Sequence, residues 1–253
     1  MIDLITLTSK EVSRFLRIWK QTLLPPIITI VLYLLIFGKF IGEKITIVEW
    51  ASYIDFIFPG LLMMSVIMAS YWNSSGSFFW AKFQKSIEEL FVSPMATWKI
   101  LLGFIFGWML RWILVWLLIF ITWSFMTEIN IHSYFYMFVF IILTSAVFSL
   151  AWLFNWIFAK SFDDINVIPS FIITPLIYLG WVFYPLTLLS PFWQTVSQFN
   201  PILYMVNGLR YAFIWPEYTD ISLLTAIWIL IIFIIVLTFW NIRLLNKWYG
   251  IKS

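Results

Sequence analysis

Residues 221–242 read ISLLTAIWILIIFIIVLTFWNI and contain no charged side chain. A helix needs about 20 mostly apolar residues to cross the hydrocarbon core of a bilayer, and this stretch is long enough. Its apolar residues form a continuous run and do not alternate with polar ones, which favours a helix over a strand of a membrane barrel. The sequence therefore predicts a membrane-spanning helix here.

The composition of the whole chain extends this conclusion. Of the 253 residues, 63% are hydrophobic and 11% are charged, whereas soluble domains have about 45–50% apolar and about 25% charged residues. A soluble fold of this length could not bury so much apolar surface, so a water-soluble enzyme is excluded, as is a disordered chain. The absence of cysteine also excludes disulfide scaffolds and Cys-ligated metal sites.

Six stretches are long and apolar enough to span a membrane, so we predict an all-α membrane protein whose single domain occupies residues 1–253. Pro169, Pro175, Gly180 and Pro185 interrupt the fifth stretch, which is therefore expected to be kinked or broken. In chain order the predicted spans are 23–42, 54–77, 100–126, 134–158, 168–189 and 221–242.

The distribution of Lys and Arg predicts the orientation, because positive residues accumulate in cytoplasmic loops. With a cytoplasmic N-terminus, eleven of the fifteen Lys and Arg residues lie inside. Lys39, Lys44 and Arg210 lie outside, and Arg111 lies within the third span. Both termini are therefore predicted to be cytoplasmic, and the net charge of +3 reflects topology and not nucleic-acid binding. No cleavable signal peptide is expected, because no small-residue cleavage site precedes the first span.

Residues 8–22, TSKEVSRFLRIWKQT, predict a basic amphipathic helix on the inner membrane surface. Thr8 and Glu11 have the spacing of a capping box, and Pro25-Pro26 are expected to break or redirect the chain. The helix is either an electrostatic anchor or part of a docking surface for a soluble partner. Its predicted apolar face comprises Val12, Phe15, Leu16, Trp19 and Leu23.

Residues 78–99, FFWAKFQKSIEELFVSPMATWK, form the second amphipathic cytoplasmic element, in which Ser93-Pro94 is expected to end a helix. A connection between two spans needs only a few residues. The extra length indicates that a partner binds this helix, although a surface-lying helix without a partner produces the same pattern.

The sequence predicts no catalytic or metal site. His132 is the one histidine and lies in a short outer loop, and the adjacent acids Asp163 and Asp164 are interpreted as a helix cap and a solvated charge. No HExxH or GxSxG pattern occurs, and no phosphate-binding loop is present. If ATP drives this protein, another chain must bind it.

Two polar features lie within predicted spans. Arg111 has no acidic partner in any span, so snorkelling or an interhelical hydrogen bond is favoured over contact with a substrate. The second span ends in ASYWNSSGSFF, residues 69–79, which includes Asn73. This polar patch either lines a pathway or makes ordinary hydrogen bonds between helices.

Three motifs resemble the membrane subunit of ABC type-2 exporters of bacterial inner membranes. They are KFQKSIEELFVSPM (82–95), FAKSFDDINVIPSF with the following TPLIYLGWVFYPLTLL (158–189), and FNPILYMVNGLRYAF (199–213). The resemblance implies a six-span half-transporter that pairs with itself and with two copies of a separate ATPase subunit. ATP and Mg would be bound by that partner, and no cofactor is expected in this chain.

The resemblance also implies roles for particular residues. The helix between spans two and three would be a coupling helix that faces the ATPase subunit together with the N-terminal helix. Residues 191–213 would form re-entrant helices on the outer side, in which Asn200, Pro201 and Arg210 match the family pattern. The residues expected to face the ATPase subunit are Arg14, Arg17, Lys85, Glu88, Glu89, Leu90 and Pro94.

The leading hypothesis is the permease subunit of an ATP-driven exporter that moves an amphipathic, lipid-, glycan- or drug-like substrate outward. The alternative is a non-transporting membrane scaffold or assembly protein. A membrane-embedded transferase is a weaker third hypothesis, because the sequence has no catalytic constellation. In each case the protein is expected to be a multi-pass protein of the bacterial inner membrane, in contact with lipids.

Overall fold

The computed structural model of the chain describes residues 2–33, 35–37, 53–124, 131–213 and 221–247, and every regular element in these ranges is helical. A π-helical segment, Pro169–Ile173, joins α7 to α8, and a short 3-10 helix, Leu186–Leu188, precedes α9. The α-helices are α1 Ile2–Arg17, α2 Trp19–Tyr33, α3 Tyr53–Phe83, α4 Ser86–Val92, α5 Thr97–Ser124, α6 Tyr134–Phe158, α7 Phe162–Ile168, α8 Thr174–Tyr178, α9 Pro191–Gln198, α10 Pro201–Phe213 and α11 Leu223–Asn246.

Four helices in the described ranges are long and apolar enough to cross a membrane, and α3 contributes a shorter apolar stretch, Asp55–Met68. The all-helical class is therefore confirmed for the described residues, and the apolar helices are consistent with a membrane protein. The count of six spans stays a prediction, and the part of the first predicted span beyond residue 37 lies outside the described residues. The four helices are Trp19–Phe37, Thr97–Ser124, Tyr134–Phe158 and Leu223–Asn246.

The fifth predicted span is broken, as its prolines indicated. The helix passes through α7, the π-helical segment and α8, and it ends at Tyr178, well before residue 189. Pro169 and Pro175 each lack a backbone N–H, so the regular hydrogen-bond ladder cannot run through them. The chain then turns at Gly180 and Trp181, and Trp181 has a left-handed φ of 64°.

The long helices run antiparallel between two ends of the bundle. At one end, Nζ of Lys82 in α3 donates a hydrogen bond to the carbonyl of Ala159, the residue directly after α6. At the other end the rings of Phe58 (α3) and Trp123 (α5) stack with 3.7 Å between centroids. Consecutive long helices therefore alternate in direction, as expected for a chain that crosses a membrane repeatedly.

The core of the bundle is built around α10, although this helix has only 13 residues. Nearly every side chain of α10 is buried, and α10 packs against α3, α6 and α11. The closest approach is at Gly208, where an added Cβ would lie 2.1 Å from Cε1 of Phe140. Only a glycine fits there. In contrast, most apolar side chains of α11 are exposed or half-buried, and only Ala226, Leu230 and Leu245 are buried, as expected for a lipid-facing helix.

Three expectations about the N-terminal helix are wrong. α1 begins at Ile2 and not at residue 8, so Thr8 and Glu11 lie inside the helix and form no capping box. The hydroxyl of Thr8 instead donates a 3.4 Å hydrogen bond to the carbonyl of Gly103 in α5. The chain turns at Ile18, and α2 continues through Pro25 and Pro26. The two prolines remove backbone donors from one turn, but the flanking turns of α2 remain helical.

The predicted apolar face of α1 also differs from the buried one. Leu7, Glu11 and Phe15 are buried at successive turns, whereas Leu16 and Trp19 are exposed. From sequence, Glu11 was assigned to a capping box and not to a buried face, and isolated acids are seldom buried. Glu11 is buried because α5 supplies charged and closely packed neighbours, which are described below.

Candidate partner-docking surface

The segment between α3 and α5 was predicted as one amphipathic element, residues 78–99, but it has three parts. α3 continues to Phe83, a turn follows with Lys85 in a left-handed conformation (φ 59°), and α4 covers only Ser86–Val92. α4 ends directly before Ser93, whose hydroxyl donates a 2.6 Å hydrogen bond to the carbonyl of Leu90. The short α4 thus lies between the C-terminal end of α3 and the N-terminal end of α5.

Lys82 attaches the C-terminal end of α3, where this segment begins, to α6. Its Nζ donates hydrogen bonds to the carbonyl oxygens of Trp156 (3.2 Å), Ile157 (3.2 Å) and Ala159 (2.7 Å). These are carbonyls at the C-terminal end of α6, which have no partner within the helix and carry the negative end of its dipole. The side chain of one lysine therefore ties the end of α3 to the end of α6.

A groove of about 350 Å³ lies between α1 and the C-terminal side of α4. Asp3 and Lys10 line it from α1, and Leu90 and Pro94 line it from the opposite side. Lys99 Nζ lies 3.9 Å from Asp3 Oδ2 and links the start of α5 to α1. We call this the α1–α4 groove. It combines apolar surface with charges of both signs and is of a size to receive side chains of another protein.

The groove brings together only part of the predicted docking set. Leu90 and Pro94 line the groove, whereas the exposed Arg17, Lys85 and Glu89 and the half-buried Glu88 lie on α1, on the preceding turn and on α4. Asp3, Thr6 and Leu7 were missed because the predicted helix began at residue 8, and Lys10, within that helix, was not assigned to the docking set. Their spacing of three and four residues was the signal that could have identified them.

Arg14 does not face outward with the other predicted docking residues. Its Nη2 lies 3.3 Å from Glu11 Oε2, and only 35% of the side chain is exposed. Burial lowers the pKa of the Arg14 guanidinium, and the carboxylate of Glu11 partly opposes that shift. Arg14 therefore belongs to a charge cluster between α1 and α5.

Arg111 completes this cluster. The residue is only 5% exposed in α5, and it interacts electrostatically with both Glu11 and Arg14. An unpaired Arg at the centre of a membrane helix costs about 2.5–3.5 kcal/mol on insertion scales. Of the two placements favoured from sequence, the guanidinium does not snorkel. The guanidinium is buried between helices, and the charges that act on it lie on α1, where repulsion by Arg14 exceeds attraction by Glu11.

The predicted outer residues lie at the opposite end of the bundle. Asn200 begins α10: its Oδ1 accepts from Ile202 N at 3.0 Å, its Nδ2 donates to the carbonyl of Leu176 at 2.6 Å, and Pro201 occupies the first helical position. Arg210 is fully buried in the same helix. The start of α10 is thereby fastened to α8, which belongs to the broken fifth stretch. Asn73 lies within α3, and its side chain falls outside the described residues.

The polar residues considered for chemistry have ordinary structural roles. Asp164 closes a capping box at the start of α7, where its Oδ2 accepts from the backbone N–H groups of Lys160 and Ser161 at 3.0 Å. The expected helix cap is confirmed. The ring of His132 meets that of Tyr211 edge-on. The described residues contain no group of three or more His, Asp or Glu that could hold a metal ion.

Comparison with known proteins identifies the class. The family model for ABC-2 type transporters matches residues 3–214, so the chain belongs to the ABC-2 type transporter family and is a membrane permease of that type. It is 45% identical over 252 residues to the inner membrane transport permease YadH of Escherichia coli (strain K12). It has the same identity to the protein of that name from Shigella flexneri, and each alignment covers 100% of this chain and 98% of the relative.

Proposed function

We propose that this chain is the permease subunit of an ATP-driven exporter in the bacterial inner membrane. It moves an amphipathic, lipid-, glycan- or drug-like substrate outward, together with a separate ATPase subunit that binds ATP and Mg. Membership of the ABC-2 family supports transport, and the relatives named as inner membrane permeases support the location. The sequence contains no phosphate-binding loop, so the proposal assigns ATP to the partner.

The α1–α4 groove is the observation that carries the proposal. α4 is a short helix held at both ends by long helices, and its C-terminal side opens onto a groove that α1 completes. A partner that seats a side chain there contacts two elements at once. The exposed Glu89 and Lys85 and the half-buried Glu88 supply charges beside the groove for electrostatic steering of the partner.

A force applied to α4 can be transmitted directly to the helices of the bundle. The chain connects α4 to α3 on one side and to α5 on the other, and Lys82 links the same place to the end of α6. ATP binding can shift the bundle between two arrangements only if the ATPase subunit binds them with different affinities. The rigid attachment of α4 provides the mechanical condition for such a difference.

On the outer side, we assign α9 and α10 as re-entrant helices. α10 has 13 residues and so is about 20 Å long, which is too short to cross a hydrocarbon core of about 30 Å. It is nevertheless buried among α3, α6 and α11. A buried apolar helix of this length is accounted for if the chain enters and leaves the membrane on the same side.

The complete assembly is proposed to contain two copies of this chain and two ATPase subunits, because symmetric pairs are the commonest assemblies. Both termini would be cytoplasmic. The chain has no cysteine, so single cysteines report the orientation without interference. Ser9→Cys in α1 is expected to react only with a thiol reagent on the cytoplasmic side, and Ser190→Cys before α9 only with one outside. The opposite labelling would refute the orientation.

The docking assignment is tested by reversing charge in the reconstituted complex. The double variant Glu88→Lys and Glu89→Lys is expected to abolish stimulated ATP turnover while insertion into the membrane stays intact. Asp163→Lys is the control for Glu89→Lys, because both acids are exposed but Asp163 lies on α7. Unchanged turnover in the double variant would refute the docking assignment, and failure to co-purify any ATPase subunit would favour the scaffold.

A further inference from the structure

The C-terminal end of α11 carries two cations on its exposed side. Ile235, Phe239, Arg243 and Lys247 follow one another at intervals of four residues, and all four are exposed. Residues at this spacing are neighbours on one side of a helix. Ile235 and Phe239 are 62% and 56% exposed, and Lys247 directly follows the helix. This side of α11 therefore presents apolar surface that leads to a pair of positive charges.

The change from apolar to basic surface falls at the boundary of the hydrocarbon core. The twenty residues 223–242 carry no charge. As a helix they are about 30 Å long, which equals the thickness of the hydrocarbon core of a bilayer. Arg243 is the next residue along the chain, so its guanidinium lies at the level of the lipid headgroups.

α11 ends at the same end of the bundle as the α1–α4 groove. α10 forms hydrogen bonds with the residues just before both α6 and α11. Farther along, Nδ2 of Asn241 in α11 donates a 3.0 Å hydrogen bond to the carbonyl of Leu150 in α6. The two helices therefore run parallel, and α11 ends near the place where Lys82 binds the end of α6. The proposed orientation assigns this end to the cytoplasmic side.

A groove of about 330 Å³ lies beside the two cations, and we call it the α11 groove. Within the described part of the chain, neither Arg243 nor Lys247 forms an ion pair. Like charges four residues apart on a helix repel each other, and an anion bound between them would remove this repulsion. The described residues that line the groove are Phe239, Ile242, Arg243, Asn246 and Lys247.

The helix dipole and the membrane topology explain only part of this arrangement. A cation near the C-terminal end of a helix is favoured by the dipole, and Lys and Arg accumulate on the cytoplasmic side of a membrane. Charges in open solvent satisfy both explanations. Neither requires an apolar groove beside the charges, and Phe239 and Ile242 supply apolar walls here. The α11 groove thus fits a ligand in which an anionic part and an apolar part are joined.

We propose that the α11 groove binds one anionic phospholipid. The planar fork of Arg243 suits the phosphate oxygens, Lys247 adds a second positive charge, and the amide of Asn246 provides a further hydrogen-bond donor. An acyl chain lies along Phe239 and Ile235. The assignment to the inner leaflet rests on the proposed orientation, whereas the preference for an anionic headgroup does not depend on the proposed function. The bound lipid holds the end of a helix whose surface is mostly exposed.

The test uses the full-length chain in phosphatidylcholine vesicles, without any ATPase subunit. Because the chain has no cysteine, Ile235→Cys provides a single site for a fluorophore beside the proposed acyl chain. The vesicles contain a graded fraction of a lipid with a nitroxide on its acyl chain, which quenches the fluorophore on contact. The headgroup of this lipid is either anionic phosphatidylglycerol or zwitterionic phosphatidylcholine. Leu110→Cys on α5, a residue that is 48% exposed, carries the fluorophore in the control.

The nitroxide phosphatidylglycerol is expected to quench the fluorophore at Ile235→Cys at a lower fraction than nitroxide phosphatidylcholine does. At Leu110→Cys the two lipids are expected to quench alike. In the Ile235→Cys chain, Arg243→Gln and Lys247→Gln are each expected to lower the relative affinity for phosphatidylglycerol about fivefold, and the double variant about 25-fold.

A matched double variant controls for net charge. Lys85→Gln with Lys160→Gln removes two positive charges from exposed positions at the same end of the bundle, and it is expected to leave the preference for phosphatidylglycerol unchanged. An equal loss of preference in the two double variants would reveal a general attraction of the protein for anionic lipid and would overturn the inference.

Three further results would overturn the inference. The first is equal quenching by the two lipids at Ile235→Cys. The second is loss of the preference when inorganic phosphate replaces chloride at the same ionic strength, because the groove would then hold a soluble anion. The third needs no charge variant and decides even if the double variant fails to insert. Raising the salt from 0.1 to 1 M shortens the Debye length from about 10 to about 3 Å, and a preference that survives this change is not electrostatic.

Discussion

The guanidinium of Arg210 donates a 2.8 Å hydrogen bond from Nη2 to the backbone carbonyl of Trp181 and also stacks on the indole of that residue, 4.4 Å from the ring centroid. The centroid of the Phe56 ring lies 4.1 Å from Cζ of the same guanidinium. Trp181 has a left-handed φ of 64°, a conformation that non-glycine residues adopt at a cost. Arg210 therefore holds a strained turn against α10 and α3.

This relationship predicts that Arg210→Met destabilises the protein. The substitution leaves the Trp181 carbonyl without its charged donor, at a cost of about 1–3 kcal/mol, and it removes the stacking between cation and rings. The stability of Arg210→Lys is expected to lie between those of the wild type and Arg210→Met, because Lys keeps the charge but loses the planar stack. The measurement is the midpoint of thermal unfolding in detergent. Arg243→Met, on an exposed position of α11, is the control, and equal midpoints for both Met variants would contradict the role of Arg210.

Gly103 and Gly107 of α5 both lie against α1, but the same substitution is expected to have different effects at the two positions. In a helix interior Gly→Ala gains about 1 kcal/mol from propensity. At Gly103 the new methyl meets the far end of the flexible Leu7 side chain, whereas at Gly107 it meets Cβ of Glu11, next to the α1 backbone. Gly103→Ala is therefore expected to be near neutral, and Gly107→Ala to be destabilised by about 1–3 kcal/mol from overpacking. Thermal unfolding of the two variants checks this order of stability. A Gly107→Ala variant that is more stable than Gly103→Ala would contradict the close approach of α1 to α5 at Gly107.

The sequence predicted the features that depend on local composition. The long apolar runs that became α5, α6 and α11, and the break at Pro169 and Pro175, follow from span length and from missing backbone donors. The cap at Asp164 was also identified, because its effect extends over only four residues. Each of these features is determined by residues that are close in the chain.

The features that the sequence did not predict depend on contacts between distant segments. Glu11 and Arg111 are 100 positions apart, so no periodicity could show that both become buried where α1 packs against α5. The packing of α1 against α5 likewise gives Thr8 its hydrogen bond: its hydroxyl donates to the carbonyl of Gly103 and caps no helix. A pattern on one helix cannot reveal which helix will lie against it. The sequence therefore could not show that α1 packs against α5.

Lys82 is predicted to stabilise the end of α6 specifically. Its Nζ binds three carbonyls there, and a cation at a helix C-terminus contributes about 0.3–1 kcal/mol beyond the hydrogen bonds themselves. Lys82→Met is expected to speed hydrogen exchange of the backbone amides in the last turn of α6 several-fold. Lys85→Met, three residues along at an exposed position, is expected to leave those amides unchanged. Equal exchange in both variants would mean that Lys82 does not act as the cap.

The capping box of α7 predicts that the stability of the start of this helix depends on pH. The backbone N–H of Lys160, and then that of Ser161, hold the pKa of the Asp164 carboxyl below its usual range, and the Ser161 hydroxyl adds to this effect. A carboxyl whose pKa is lower in the folded state stabilises that state above its unfolded-state pKa of about 3.9, and this contribution is lost as the pH falls through the lowered value. Protection of α7 amides, corrected for intrinsic exchange, is therefore expected to be constant from neutral pH down to about pH 4 and to fall below it. Asp164→Asn is expected to lower the protection already at neutral pH, because the charged acceptor is gone, whereas Asp163→Asn on the exposed neighbouring position keeps the wild-type profile. A wild-type profile in Asp164→Asn would show that the carboxylate does not hold the start of α7.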